Sequence, residues 1–254
     1  MISINVFSTA GSLYDFAAQL FAEIVHDSLS KSGRFVTALS GGGTPMGLYR
    51  VLAGAAYRDS LPWEKMEFFW GDERCVPPDD SESCYFQAYQ SWLSHVPVPS
   101  RNLHRVKGEL DPQTAAQEYA RELSGFAASG LYWPIFDLVL LGLGADGHTA
   151  SLFPGSDQTR GVATIAVTAN YQDRPARRVS LTPDVFNGAA NLVFLATGAE
   201  KAAALASTVI GSRDLFRYPA QRIIPTAGQL YWLVDQAAAS QLPDAMDGVI
   251  ITKR

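Results

Sequence analysis

The stretch RFVTALSGGGTPMGLYRVLAG, residues 34–54, carries the reading that decides the fold. Arg34–Leu39 is an apolar run of strand length, Ser40–Thr44 a glycine-rich turn, and from about Pro45 to Gly54 the apolar residues take helical spacing. A strand turning directly into a helix is the repeating unit of α/β folds. Outward in both directions the unit recurs. Upstream, Ile2–Phe7 reads as a strand. Leu13, Phe16, Ala17, Leu20, Ile24 and Val25 then follow at helical spacing from Ser12, the expected N-cap, to Lys31, and Gly33 stops the helix. Downstream, Met66–Trp70 predicts a third strand and Ser83–His95 a helix. Leu103–Val106 is short and extended, Pro112–Ala128 helical, and Phe136–Leu141 a strongly apolar strand. Val162–Val167, Asn191–Thr197 and Gln229–Val234 complete the strands, with helices near Pro183–Asn187, Ala199–Ile210 and Asp235–Ser240. No linker, low-complexity run or internal repeat interrupts the series. The expectation is one α/β domain over residues 1–254, a mostly parallel, doubly wound sheet flanked by helices, whose ligands bind beyond the carboxyl ends of the strands.

Composition narrows the partners. With 47% hydrophobic and 18% charged residues the chain has the make-up of a globular domain. Twenty Lys+Arg against 25 Asp+Glu leave a formal charge of −5, the wrong overall field for a nucleic-acid binder, so any anionic ligand must be caught by a local site. Cys75 and Cys84 form neither a CxxC pair nor a disulfide framework, which points to a reducing compartment. The opening MISINVFSTAGSLYDF lacks a basic stretch followed by an apolar core, and no run approaches the length of a bilayer span. A cytoplasmic protein without a membrane partner is expected.

Three loops can carry chemistry. In Ser40-Gly41-Gly42-Gly43-Thr44-Pro45, glycines let backbone amides approach a phosphate, Thr44 can cap the helix, Pro45 suits its first turn, and the helix N-terminus supplies positive potential. A tight turn with a good cap is the rival reading. The Gly-Lys-Ser/Thr ending of a P-loop is missing, which argues against nucleotide triphosphates. Trp70-Gly71-Asp72-Glu73-Arg74 puts two carboxylates and a guanidinium at the end of the third strand. Asp72 can bind hydroxyls or act as a base, and Arg74 can pair with a phosphate or orient a carboxylate. An exposed turn with solvated charges accounts for this segment equally well, and Asp79 and Asp80 read as plain solvent-facing residues.

The third loop, GLGADGHTASLFPG at 142–155, satisfies GxGxxG through Gly142, Gly144 and Gly147. Its context fails for a dinucleotide: Pro154-Gly155 leaves room for two helical turns at most, and Asp157 and Asp173 are not at the required strand end. What it offers instead is His148, able to take a proton from water near neutral pH, with Asp146 placed to fix its tautomer. His26, His95 and His104 read as structural. No second ligand stands at a recognisable metal spacing from His148, so no metal is expected, and no GxSxG elbow is present. Two basic positions remain. Arg178 lies in a run with Arg174 and Arg177 that also reads as a solvated cluster. Lys201 sits in the first turn after a strand, where a cation gains nothing from the helix dipole and is better explained by reaching for an anion.

At these residues the chain resembles the 6-phosphogluconolactonases, the lactone hydrolases of the oxidative pentose phosphate pathway. SGGGTP at 40–45, WGDER at 70–74, GLGADGHTASLFPG at 142–155, RVSLT at 178–182, TGAEK at 197–201 and QLYWLVD at 229–235 look like that family's motifs, in order. The resemblance implies a Rossmann-like sheet shared with glucosamine-6-phosphate deaminases and ribose-5-phosphate isomerases. It also implies a phosphate site at Ser40, Gly41, Gly42, Gly43 and Thr44 with Arg178 and Lys201, a general base at His148, and Asp72 and Arg74 lining the sugar. Asp-Glu-Arg where deaminases tend to show Asp-Glu-Tyr, and Ser-Leu-Phe-Pro-Gly where they carry Asn-Glu-Pro-Gly, favour lactonase over deaminase. The reaction implied is hydrolysis of 6-phospho-D-glucono-1,5-lactone by His148-activated water, which needs no cofactor, with donors from the Gly142–Gly147 loop or Arg74 steadying the oxyanion. The partner is then a small sugar-phosphate lactone, and the protein a monomer or weak homo-oligomer. The alternatives are a deaminase of the same fold and a noncatalytic sugar-phosphate sensor. A sensor would normally carry a DNA-binding module, and no helix-turn-helix region precedes the first strand.

Overall fold

The computed structural model describes residues 2–157, 159–245 and 248–254. Strand β1 (Ile2–Phe7) leads into helix α1 (Ala10–Ser32), β2 (Phe35–Leu39) into α2 (Gly43–Leu52) and a short α3 (Ala55–Arg58). Next come β3 (Met66–Trp70), β4 (Asp72–Arg74), α4 (Cys84–Ser91), α5 (Pro112–Ser124), β5 (Leu138–Gly142), β6 (Thr164–Thr168), β7 (Arg177–Leu181) and α6 (Pro183–Asn187). The chain closes with β8 (Asn191–Ala196), α7 (Ala202–Val209), β9 (Gln229–Asp235) and β10 (Val249–Lys253).

Seven strands form one sheet in the order β10-β1-β9-β8-β5-β2-β3, with every pairing parallel. Alternate residues feed two apolar layers: Val36, Val139, Leu141 and Phe194 pack on the face that carries α5 to α7, while Phe35, Leu39, Leu138, Leu140 and Leu195 pack on the α1 and α2 face. Burial on both faces is why the central strands β5 and β8 read as near-continuous apolar runs. The expected α/β sheet is present, but a second sheet accompanies it. Strands β4, β7 and β6 form a three-stranded antiparallel sheet in that order.

Several element ends differ from expectation for local reasons. Helix α1 is capped by Thr9, whose side chain accepts from the Ser12 amide, and Ser12, the third helical residue, answers as the partner of a capping box rather than as the cap. Gly33 ends it in the left-handed region at φ 75°. Helix α2 starts at Gly43 behind Gly42 (φ 102°), so Thr44 lies inside the first turn and caps nothing; its hydroxyl meets that of Thr197 at 2.9 Å. The α-helix after Ser83 stops at Ser91, and Leu93–His95 is a 3-10 turn. Leu103 makes only a single bridge to Phe68, with no strand at 103–106. Helix α5 ends four residues early, at Ser124 before Gly125. Asp235 ends β9 and Gln236–Ser240 is a series of turns where the sequence predicts a helix, with the Asp235 carboxylate accepting from the Gly198 and Ala238 amides.

Candidate active site

Strands β8, β5, β2 and β3 are consecutive neighbours in the sheet, and their carboxyl ends deliver the four motif loops side by side. One cleft collects Ser40–Pro45 after β2, Asp72 and Arg74 after β3, Gly142–Gly144 and His148 after β5, and Lys201 after β8. All eleven residues singled out from the sequence line it except Asp146, which stands directly behind His148. The three-stranded sheet roofs the cleft with Tyr171, Gln172, Arg174 and Arg178.

The loop after β5 folds back on itself. The Gly144 amide donates to the His148 carbonyl at 2.8 Å, and the Gly147 amide to the Gly144 carbonyl at 3.0 Å. No helix follows, so the dinucleotide fingerprint lacks its phosphate-binding partner. Asp146 Oδ1 lies 2.6 Å from His148 Nδ1 and accepts from the His148 amide at 3.1 Å. A side chain at Gly144 would collide with His148 Nδ1 and Asp146 Oδ1, so glycine there makes the dyad possible. Burial works to raise the Asp146 carboxyl, but the hydrogen bond and attraction from His148 and nearby backbone amides outweigh it and hold it below the usual carboxylate range. An ionised Asp146 assigns the ring proton to Nδ1 and leaves Nε2, which no protein group takes up among the described residues, as a proton acceptor facing the cleft.

Asp72 and Arg74 are not on an exposed turn. They occupy β4, only 6% and 7% exposed, because β4 pairs with β7 and is roofed by it. The same pairing sets Arg74 directly opposite Arg178, which is 2% exposed, so Arg178 is no member of a solvated cluster. Like charges facing across a ladder are unfavourable. Burial and the Arg74 and Arg174 charges lower the Arg178 guanidinium from its ordinary value, and only Asp72 and Cys84 offset them. Arg74 Nη1 donates to the Glu82 carbonyl at 2.6 Å and Arg178 Nε to the Pro175 carbonyl at 3.1 Å. Arg74 Nε and Arg178 Nη2 are buried with no acceptor among the described residues. Two such orphaned cationic donors facing one cleft call for an anionic or oxygen-rich ligand. Asp72 is anchored by Ser151, whose hydroxyl donates to Asp72 Oδ2 at 2.6 Å.

Glu73, passed over in the sequence, turns the other way. Its Oε1 accepts from the Arg74 and Cys84 amides and its Oε2 from the Ser83 hydroxyl and Tyr85 amide, all between 2.6 and 2.9 Å. It therefore fixes the start of α4 to β4. Burial pushes its carboxyl up and these four donors pull it back down, with burial prevailing. Glu73→Gln turns an amide NH2 toward one donor pair and is expected to destabilise the protein by about 3 kcal/mol. A shift of the urea midpoint at constant slope checks it.

At the glycine-rich loop, the Gly42 amide is already taken by Gln87 Oε1 at 3.2 Å and the Ser40 amide by the Tyr49 hydroxyl at 3.1 Å. The first-turn amides of Gly43 and Thr44 have no acceptor within helix α2 and open its positive end to the cleft. Lys201 ends a 3-10 turn ahead of α7 and reaches the same cleft. His104 is clasped between Glu67 and Glu122 and stacked on Phe69, away from this site. Among the described residues no group of three or more His, Cys, Asp or Glu is arranged to hold a metal ion, and no helix is long and apolar enough to cross a membrane.

This arrangement coincides with a match to the family described as glucosamine-6-phosphate isomerases/6-phosphogluconolactonase, which spans residues 8–232. The chain belongs to this family. Among relatives, a 6-phosphogluconolactonase of Synechocystis is 41% identical over 217 residues, 85% of this chain and 88% of that one. The 6-phosphogluconolactonase of Haemophilus influenzae is 34% identical, over 93% of this chain and 98% of its own length. The 6-phosphogluconolactonase structure from Trypanosoma brucei superposes with TM-score 0.84 at 28% identity, covering 96% of this chain and 99% of that one. A monomeric glucosamine-6-phosphate deaminase of the wider family shares the fold, TM-score 0.81, at 21% identity.

Proposed function

We propose that this chain, working as one domain, hydrolyses 6-phospho-D-glucono-1,5-lactone to 6-phospho-D-gluconate. The observation that carries the reading is the His148–Asp146 dyad facing two buried arginines with orphaned donors across one cleft. His148 Nε2 takes a proton from water as its oxygen bonds to C1. The tetrahedral oxyanion collapses, the bond from C1 to the ring oxygen breaks, and the imidazolium returns its proton to that oxygen. The acid so formed ionises to the carboxylate. The phosphate sits on the Gly43 and Thr44 amides with Lys201 and Arg178, holding C1 at the far end of the sugar against His148. Ser40, Gly41 and Gly42 shape this loop, and Asp72 faces the sugar hydroxyls.

Of the two expected sources of oxyanion donors, Arg74 fits better, since most amides of the Gly142–Gly147 loop are already engaged. The Gly144, Gly147 and His148 amides are used inside their own loop, and that of Ala145 faces the Tyr171 hydroxyl. Arg74 retains its free Nε. Gly144→Ala should lower kcat by about 10- to 100-fold with little change in KM, because it pushes His148 off Asp146 without touching the phosphate end. Steady-state kinetics of the variant test this.

The function is tested by NMR-monitored loss of freshly generated lactone against the spontaneous rate, with glucosamine 6-phosphate in parallel. Loss well above background is expected. Ammonia release from the amino sugar without lactone acceleration would assign the deaminase reaction instead.

A further inference from the structure

A single hydrogen bond from Nδ1 leaves an imidazole free to swing about that bond, yet a general base works only while its acceptor lone pair points at the water. Two aromatic rings complete the restraint on His148. Phe153 stacks on its face, ring centroids 4.6 Å apart at 29°, and Tyr171 meets it edge-on, 4.6 Å at 74°. Phe153 belongs to the same loop as His148 and moves with it. Tyr171 comes from the other sheet, at the tip of the β6–β7 hairpin, and its hydroxyl faces the Ala145 amide of the His148 loop.

The hairpin tip is built to deliver that ring. The Ala169 amide bonds to the Ala176 carbonyl at 2.9 Å and the Arg174 amide to the Tyr171 carbonyl at 3.1 Å, closing a turn over Tyr171–Arg174. Its central residues, Gln172 and Asp173, both lie in the left-handed region at φ 50° and 54°. That is a type I′ turn made without the Asn-Gly pair that adopts it most easily. Backbone held in this region by non-glycine residues, beside an active site, marks a position the surrounding structure enforces.

We propose that Tyr171 is a positioning residue for the reaction assigned above, its ring edge holding the His148 imidazole so that Nε2 stays aimed at C1. The inference rests on the lactonase reading. Tyr171 lies at the cleft rim outside both apolar layers, so its removal leaves the core intact. Tyr171→Ala is expected to lower kcat about 10- to 100-fold with KM within threefold of wild type, and Tyr171→Phe, which keeps the ring, to recover most of the loss. Wild-type kcat in Tyr171→Ala overturns the proposal, as does a rise in KM at unchanged kcat, which would make Tyr171 a wall of the substrate site. A loss in Tyr171→Phe equal to that in the alanine variant also overturns it, since the hydroxyl alone would then be at work. A wild-type protein no faster than spontaneous hydrolysis removes the lactonase reading itself and this inference with it.

Discussion

Replacing His148 by alanine is expected to lower kcat for lactone hydrolysis by about three orders of magnitude while leaving KM within a few-fold of wild type. The size follows from the proposed role: a positioned general base contributes roughly 10²- to 10⁴-fold, and no other side chain lining the cleft among the described residues is an imidazole. The selectivity follows from distance. The proposed phosphate contacts at Gly43, Thr44, Arg178 and Lys201 lie on other segments of the cleft and survive the substitution, so ground-state binding is expected to stay. Asp146→Asn should fall between wild type and this variant, because it keeps the geometry and loses the charge that fixes the ring proton on Nδ1. Lactone decay followed by NMR, with the spontaneous rate subtracted, reads all three proteins. If His148→Ala keeps full activity, the water is activated elsewhere, and Asp72 becomes the group to test.

What the sequence discloses about this site depends on how burial correlates with polarity. The seven parallel strands lie between two helical layers, so Leu138–Leu141 and Leu192–Ala196 are apolar throughout, and Phe35–Leu39 is apolar but for Thr37, and they can be read directly. The antiparallel sheet breaks that correlation. Asp72, Arg74 and Arg178 are charged residues in buried strands, and pattern reasoning assigns such residues to solvent. Their motifs mark them as candidate site residues, whereas their burial follows only from the pairing of β4 with β7, remote in sequence. The same holds for β10, which pairs with β1 from the opposite end of the chain. Tyr171 carried no signal. A turn built from Gln172-Asp173 lacks the Asn-Gly or Asp-Gly that announces a hairpin, so the ring against His148 emerges only from the assembled fold. Glu73 gave no sign of its role for a related reason: three of its four donors are backbone and hydroxyl groups of a helix start, and helix starts are read from caps rather than from a carboxylate ten residues upstream.

Arg178→Met gives the second large effect, and it is expected to move catalysis and stability in opposite senses. Methionine keeps much of the arginine stem's volume but removes a charged donor from the phosphate, which should raise KM about 100-fold, or roughly 2.7 kcal/mol. Because remote binding energy also holds C1 against the base, a smaller fall in kcat accompanies it. In the free protein the ledger runs the other way. Arg178 is buried opposite Arg74, depressed by burial and by its neighbours' charge, and one of its terminal nitrogens has no acceptor. Leaving a buried donor unpaired costs about 1–3 kcal/mol, which the substitution relieves, against the loss of one hydrogen bond to Pro175 and the cation contact with Phe153 at 5.1 Å. The urea midpoint of the free variant should therefore match or exceed that of wild type, the signature of a residue kept for ligand binding at the expense of the fold. A lower midpoint with unchanged KM would make Arg178 a strut of the small sheet, and the phosphate would then rest on Lys201 and the α2 amides alone.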